Sequence, residues 1–299
     1  MQLSIIILTY NSELSLAETL RSVVSLSDDI HVVDSFSADR SVEIARSYGV
    51  TVAIHAFESY GLQRNWAISS LPFKYQWQLH LDADERITPE LLQEIMNLEE
   101  PSDVSGFYIP RLMWFLGRPI RHGGMFPQWH MRLFRSGYGE CEARKYDQHF
   151  YVKAGQTQKL KGFMIDDVRM PITEWTLRHN RWSDAEVQEQ VCTDSTGRIE
   201  GKAFGNPVEK KRFLRGLYNH CPLFLRPFVL FFYRYIIRFG FLDGTEGFVF
   251  YVLQTFWFRF LIDAKLFEQK LAGSSSAEIR RGANRLPLED IHAHSGSND

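Results

Sequence analysis

The chain has 299 residues, 44% of them hydrophobic and 14% aromatic, with a formal net charge of −2. That length and apolar content support one large domain, or a domain with an appendage, and the near-neutral balance argues against a general nucleic-acid binder. The balance hides an asymmetry: from Lys202 to Arg238 eight Lys/Arg stand against one acid, Glu209, a local net of +7 (8 − 1).

Leu3–Leu8 is a β-branched run typical of a buried parallel strand. It is too short, and lacks the basic flank, for a signal peptide. Thr9-Tyr10-Asn11 closes it. Ser15-x-x-Glu18 reads as a capping box opening a helix with Leu16, Leu20, Val23 and Val24 on one face. Ile30–Val33 is the next strand and stops at Asp34. A helix over about 39–48 ends at Gly49, Thr51–Ile54 is a third strand, and Tyr60–Ser70 a further helix. Trp77, Leu79 and Leu81 alternate with Gln78 and His80, the period of a strand with one buried face. This alternation of strand and helix predicts an α/β fold with a doubly wound, mainly parallel, Rossmann-like sheet.

The strand from Trp77 ends in Asp82-Ala83-Asp84-Glu85, and Thr88-Pro89 then suits the start of a helix. Ligands of open α/β sheets bind outside the carboxyl ends of strands. Two carboxylates this close repel unless a cation or hydrogen-bond donors stand between them. A hard divalent ion bridging a carboxylate to a diphosphate answers that need; a solvated acidic turn is the plainer alternative.

After residue 100 the pattern changes. Gly106–Leu112 and His130–Arg135 read as strands flanking a Gly- and Pro-rich loop at 117–124. Short strand-like pieces fill 137–172, and Glu174–Val191 is a polar helix. Phe224–Phe241 and Phe248–Leu261 are apolar almost throughout. Arginines interrupt the first, and the second is too short for a bilayer core of about 30 Å. Helices lying on an anionic membrane surface are the expectation, because the apolar runs coincide with the cationic cluster; a hairpin buried against the domain is the alternative. Cys141, Cys192 and Cys221 are scattered without metal-ligand spacing and read as reduced thiols of a cytosolic protein.

Four strand-end signals stand in order: Thr9-Tyr10-Asn11, Asp34-Ser35-x-Ser37-x-Asp39, Gly61-x-x-Arg64-Asn65 and Asp82-Ala83-Asp84. Together they resemble the family 2 glycosyltransferases. The later Phe239–Gly244 segment and apolar tail look like the lipopolysaccharide-core glucosyltransferase-like branch. The resemblance implies a GT-A fold, a nucleotide-diphosphate-sugar donor (a UDP-sugar first), a divalent Mg2+ or Mn2+ at a DxD motif, and inversion at the anomeric carbon. It implies a lipid-linked, lipopolysaccharide or exopolysaccharide acceptor, met by a peripheral protein on the cytoplasmic face of the membrane.

Carried over by position, Thr9, Tyr10 and Asn11 would line the nucleotide pocket and Asp34 would contact the base, with Ser35 where the family often has a second Asp. Arg64 would face the base or diphosphate, Asp82 the ribose or sugar, and Arg132 the donor. Asp84 would hold the metal, with Asp82 beside it. An inverting transfer also needs a base for the acceptor hydroxyl. Asp147, in Tyr146-Asp147-Gln148-His149-Phe150, is preferred, with Glu142 the alternative and Glu140 a further candidate; the family often has a carboxylate where this chain has Phe150. The expected organisation is a GT-A domain over 1–205 (nucleotide-sugar half 1–100, acceptor half 101–205), a membrane-associating helical region over 206–272, and a disordered polar tail over 273–299. Two rival readings are a nucleotidyltransferase, whose Gly-rich basic loop is missing after the first strand, and a non-catalytic membrane-docking scaffold.

Overall fold

Strands β1 (Ser4–Thr9), β2 (Ile30–Asp34), β3 (Thr51–Ile54) and β4 (Trp77–Asp82) lie in the order β3-β2-β1-β4, all parallel, in the computed structural model. It describes residues 1–142, 144, 147–191 and 199–283. Both faces of this half-sheet are covered, which is why β1 is apolar at every position but its first and last. Ile5 and Ile7 pack with Leu3 beneath helices α1 (Leu16–Val23), α2 (Ser41–Ser47) and, beyond them, α4 (Pro89–Met96). Ile6 and Val33 point the other way, onto Ala67 of α3 (Tyr60–Ser70). Ser59 and Thr88 cap α3 and α4 by accepting from Leu62 and Leu91 N–H groups.

The capping box expected at Ser15 is not formed. The Ser15 hydroxyl faces the carbonyl of Ser12, not a helix N–H, and Glu18 is held by Arg86 and Arg169 instead. Those two cations outcompete the local bond because they come from the far edge of the sheet, which the sequence near Ser15 does not reveal.

A short strand β5 (Glu85–Ile87) follows β4 directly. The second half of the sheet is mixed. β6 (Val104–Phe115) pairs antiparallel with β7 (Arg118–Pro119) and β8 (Gln128–Arg135), and β8 pairs antiparallel with β4. β9 (Gly139–Cys141) and β10 (Phe150–Val152) form a separate hairpin. β11 (Gln156–Lys159) and β12 (Met164–Val168) both run parallel to β6, and β12 closes on β5. This closure carries Asp166 to the turn between β4 and β5.

Helix α5 (Ile172–Val191) then crosses to the helical C-terminal region: α6 (Pro207–His220), α7 (Leu225–Phe232), a π-helical turn Tyr233–Ile237, a 3-10 turn Gly240–Asp243, α8 (Gly244–Phe250), a second π segment Tyr251–Trp257, and α9 (Phe258–Ala283). One side of this region packs on the sheet domain: Phe250 and Tyr251 join Phe115, Ile120 and Trp175, while Phe258 and Ile262 join Val187 of α5. The other side is bare, with Phe228 54%, Val229 58%, Phe232 57% and Ile237 53% exposed. The helical run is thus at once a packed hairpin and an open apolar face. Among the described residues no helix is long and apolar enough to cross a membrane.

The cationic cluster is a correction. Most of its charges are tied inside the protein: Arg212 to Glu142 and Asp147, Arg215 to Asp147 and Glu186, Lys211 to Asp147, Arg226 to Asp263, and Lys202 to Glu209. Apart from Glu209, these partners lie outside the 202–238 stretch, so the local net charge overstates the cationic surface. Helix α9 runs on to Ala283, past residue 273 where the polar tail was expected to begin; residues 284–299, like Tyr146 and Cys192, lie outside the described residues.

Candidate functional site at the end of strand four

The turn Asp82–Glu85 is pinned from every side. Ala83 N donates to Leu8 O (3.0 Å), Thr19 Oγ1 to Ala83 O (2.8 Å), Asp82 N to Glu85 Oε2 (3.0 Å) and Asp167 N to Asp84 O (3.0 Å). Its two aspartates therefore sit in fixed positions, and their surroundings differ sharply.

Asp82 is clamped. Arg64 Nη2 reaches both its oxygens, at 2.9 and 3.0 Å, and Arg132 Nη2 lies 2.9 Å from Oδ2 and 2.5 Å from Glu85 Oε1. Burial opposes ionisation of Asp82, but the guanidiniums of Arg64 and Arg132 outweigh it and hold the carboxyl well below the usual carboxylate range. Arg64 also lies over the rings of Phe150 and Tyr60. Gly61 lets α3 approach the next loop, since a Cβ there would lie 2.6 Å from the Glu142 carbonyl oxygen.

Asp84 is the opposite case. Burial, then the like charges of Asp166, Asp82 and Glu85, push its carboxyl well above the usual range. Asp166 is itself paired with Arg111 at 3.0 Å. Among the described residues no hydrogen bond or ion pair engages the Asp84 carboxylate. The cation that opposes its shift is Arg178 of α5, which lies over Trp182 at 4.8 Å and whose buried Nε has no hydrogen-bond partner. Arg178 also faces Tyr60, whose hydroxyl burial and then Asp82 push up.

This donor set suits a hard divalent cation: an oxygen ligand whose charge is disfavoured until a counter-charge arrives. Among the described residues no group of three His, Cys, Asp or Glu side chains could hold a metal alone. Asp84 would supply the protein ligand, and the remaining positions would go to a bound diphosphate and water. Asp82, expected as a second ligand, has both oxygens on arginine.

Thr9, Tyr10, Asn11 and Asp34 come together because β1 and β2 pair with Thr9 opposite Asp34. Asn11, at φ 46°, accepts from Ala38 N (2.8 Å) and donates its own N–H to Ser37 Oγ (2.9 Å). Asp34 is buried and accepts from Ser37 N (2.9 Å) and Ser37 Oγ (2.5 Å). The Asp34 carboxylate thus builds the 35–38 turn. Tyr10 and Phe36, 62% and 67% exposed, flank the paired loops. Thr9 Oγ1 is buried without a partner. Asp39 accepts from Glu13 N and Ser41 N, a capping role.

The base candidates all lie in ion pairs. Asp147 lies within 2.6–2.9 Å of Lys211, Arg212 and Arg215, and although burial opposes its ionisation, Lys211, His149 and Arg215 hold its carboxyl well below the usual range. A carboxylate so stabilised is a poor proton acceptor. Glu142 is fully buried and accepts from His149 N, Ile199 N and Arg212 Nη2 (2.9, 3.0 and 2.6 Å). Glu140 pairs with Lys153 at 3.0 Å. His149, driven down to about 3 by burial and Lys211, is neutral at ordinary pH. This group ties Glu142, Asp147 and His149 to α6. Sequence reasoning missed Arg178, Arg111 and Asp166. Arg178 stands in a visibly charged, tryptophan-rich helix, but nothing local to it shows which face meets β4.

The model of glycosyl transferase family 2 matches residues 4–155, about half of the chain. The chain belongs to glycosyl transferase family 2. Its α/β sheet with a helical C-terminal region is the GT-A type of architecture. An uncharacterized glycosyltransferase of Rickettsia typhi is 35% identical over 94 residues, 31% of this chain and 32% of the relative. One from Rickettsia conorii is 36% identical over 94 residues, 31% and 33% of the two chains. The match thus spans about a third of the length of the curated relatives. Among solved structures, the mannosyltransferase PcManGT of Pyrobaculum calidifontis, in complex with GDP-Man and Mn2+, aligns with a TM-score of 0.49 at 13% identity, over 89% of this chain and 86% of that one. TarS 1–349 of S. aureus with UDP-GlcNAc aligns with a TM-score of 0.43 at 13% identity, over 90% and 92%. Likenesses this distant assign no ligand to the family member described here.

Proposed function

We propose that this family 2 member is an inverting glycosyltransferase. It moves a sugar from a nucleotide-diphosphate sugar, a UDP-sugar first, to a lipid-linked or envelope-polysaccharide acceptor. The observation that carries this reading is the unequal pair at the end of β4: Asp82 neutralised by two arginines, Asp84 left charged only at a cost. A site of that kind gains most when a cation arrives with the diphosphate.

A bound Mg2+ or Mn2+ would supply Lewis-acid stabilisation of the departing diphosphate. Arg178 faces the same volume and adds a fixed positive charge where leaving-group charge develops. Arg64 and Arg132 hold Asp82 rigidly, so that it orients the ribose or sugar rather than moving protons. Tyr10, Phe36 and the unpaired Thr9 hydroxyl offer a stacking and hydrogen-bonding edge for the nucleoside. Asp147 and Glu142 instead tie α6 to the sheet domain through Lys211, Arg212 and Arg215.

The setting we propose is the inner face of the cell membrane. The apolar face of α7 supports it, by burial of exposed aromatic surface rather than by attraction of free cations. Purified full-length protein should be incubated with UDP-, GDP- and dTDP-sugars, with and without Mn2+. Metal-dependent sugar release from one donor class is expected. Failure to bind or hydrolyse any of them with or without Mn2+ would refute the reading.

A further inference from the structure

Buried guanidiniums in this chain are generally paired. Arg64, Arg111, Arg132, Arg212 and Arg226 each meet a carboxylate, as the cost of an uncompensated buried charge requires. The half-buried Arg234 and Arg259, like Arg178, depart from that pattern. Among the described residues neither forms an ion pair, and Arg234 Nη1 instead lies 2.8 Å from Met125 Sδ, a weak acceptor.

The two arginines share one groove. α7 and the turn after it pack against the Tyr251–Phe258 stretch, with Phe228 on Phe256 (4.7 Å) and Tyr235 on Tyr251 (5.8 Å). That register sets Arg234 beside the turn that holds Thr255, and Arg259 follows one turn later. Burial, then the like charge of Arg259, push Arg234 down to about 10. Tyr218 of α6 reaches the same place; its hydroxyl is pushed up to about 12 by burial, and Arg259 is the first charge opposing that shift. The hydroxyls of Tyr218 and Thr255 are buried and have no hydrogen-bond partner. Two cations and two hydroxyls therefore converge, and the carboxylate that also reaches Tyr218, Asp263, is already taken by Arg226 at 2.5 Å, whose guanidinium lies over the Tyr218 ring. His179 of α5 packs edge-on to Phe258 at 5.2 Å, next to Arg259, while its neighbour Arg178 faces Asp84. On its outer side runs the exposed apolar face of Phe228, Phe232 and Ile236.

We propose that Arg234 and Arg259, with the Tyr218 and Thr255 hydroxyls, bind the phosphate or diphosphate headgroup of the lipid-linked acceptor, whose hydrocarbon chain lies along the Phe228–Ile236 face. The choice of acceptor over bulk phospholipid rests on the function proposed above and on α5, which packs on Phe258 through His179 and faces Asp84 through Arg178. The shape of the site also fits: half-buried donors for the headgroup, with an open apolar face beside them for the chain.

The test is calorimetric titration of the full-length protein, with UDP saturating the donor pocket, by farnesyl diphosphate and separately by dioctanoyl phosphatidylglycerol. Wild type should bind the diphosphate more tightly. Loss of charge-assisted hydrogen bonds in Arg234→Gln/Arg259→Gln should weaken it by roughly tenfold to a hundredfold. The matching double Lys variant should recover part of that loss, and UDP affinity should not move. Should the double Gln variant not fold, Arg259→Gln alone gives the same reading. Unchanged diphosphate affinity in the Gln variants, or no binding by wild type, overturns the site. Equal or tighter binding of phosphatidylglycerol overturns the acceptor assignment. Failure of the UDP arm in wild type would instead count against the donor reading.

Discussion

Arg64 and Asp82 meet through two charge-assisted hydrogen bonds, Nη2 lying 2.9 Å from Oδ1 and 3.0 Å from Oδ2. Arg132 adds a third at 2.9 Å. This contact separates two aspartates that the sequence presents as equals. Asp82 is ionised throughout the working range, whereas Asp84 is held back from ionising by its neighbours.

The first prediction follows from that inequality. A carboxyl whose pKa is raised on folding favours the fold while protonated, below its unfolded value of about 3.9. That contribution is lost as pH rises through the raised value. Without metal, Asp84→Asn should therefore be more stable than wild type at pH 8, by about 2–4 °C in Tm for about 1 kcal/mol. The difference should vanish near pH 4. Mn2+ with UDP should raise the Tm of wild type and not of the variant. A variant less stable at pH 8 would mean that Asp84 has a favourable partner in the apo protein.

Arg178 carries the second. It makes no ion pair among the described residues, so Arg178→Met should fold. Removing a preorganised charge from the leaving group should lower turnover by roughly a hundredfold or more, with a smaller change in donor KM, and Arg178→Lys should recover part of it. Turnover within a few-fold of wild type in Arg178→Met would place its charge outside the reaction.

The third concerns the acidic loop. Glu142→Gln leaves Arg212 short of a buried counter-charge, a loss on the order of 3–5 kcal/mol, to be read as a fall in Tm and soluble yield. Asp147→Asn should be milder in Tm, because its carboxylate is 20% exposed, and the folded enzyme should keep its pH profile. If Asp147→Asn abolished the acidic limb of the profile at unchanged Tm, Asp147 would be the base after all.

How legible was this in the sequence? The first half of the sheet was: β3 and α3 have the bounds their apolar spacing predicts, and the acidic turn does end β4. Local pattern suffices there, because β1, β2 and β4 are buried along almost their whole length and α3 and α4 start at the side-chain caps Ser59 and Thr88. What failed depended on distant partners. Ser15 and Glu18 spell a capping box, yet Arg86 and Arg169 claim Glu18. Asp147 looks like a base until α6 brings three cations to it. Eight basic residues read as a cationic surface, though Lys211, Arg212, Arg215 and Arg226 meet counter-charges on α5, α9 and at Glu142 and Asp147.

That last point changes the fourth prediction. With most of the 202–238 cations paired internally, attraction to anionic lipid, worth about 1 kcal/mol for each free cation near the surface, is small here. Apolar insertion is left as the main term. Sedimentation with liposomes should persist in high salt and depend weakly on lipid charge, and Phe228→Ser/Phe232→Ser should release the protein. Release of wild type by salt alone would restore the electrostatic account. No sedimentation with any lipid would leave the α7 face without a membrane role.

The central claim is that Asp84 couples metal to donor. Calorimetric titration of UDP into full-length protein, in Mn2+ and in chelator, tests it most directly. Wild type should bind UDP at least tenfold more tightly with Mn2+, since a direct carboxylate–metal–diphosphate bridge is worth more than one charge-assisted contact, about 1.5–3 kcal/mol. Asp84→Ala should bind UDP equally in both conditions. A metal effect of the same size in Asp84→Ala, or none in wild type, would contradict the account.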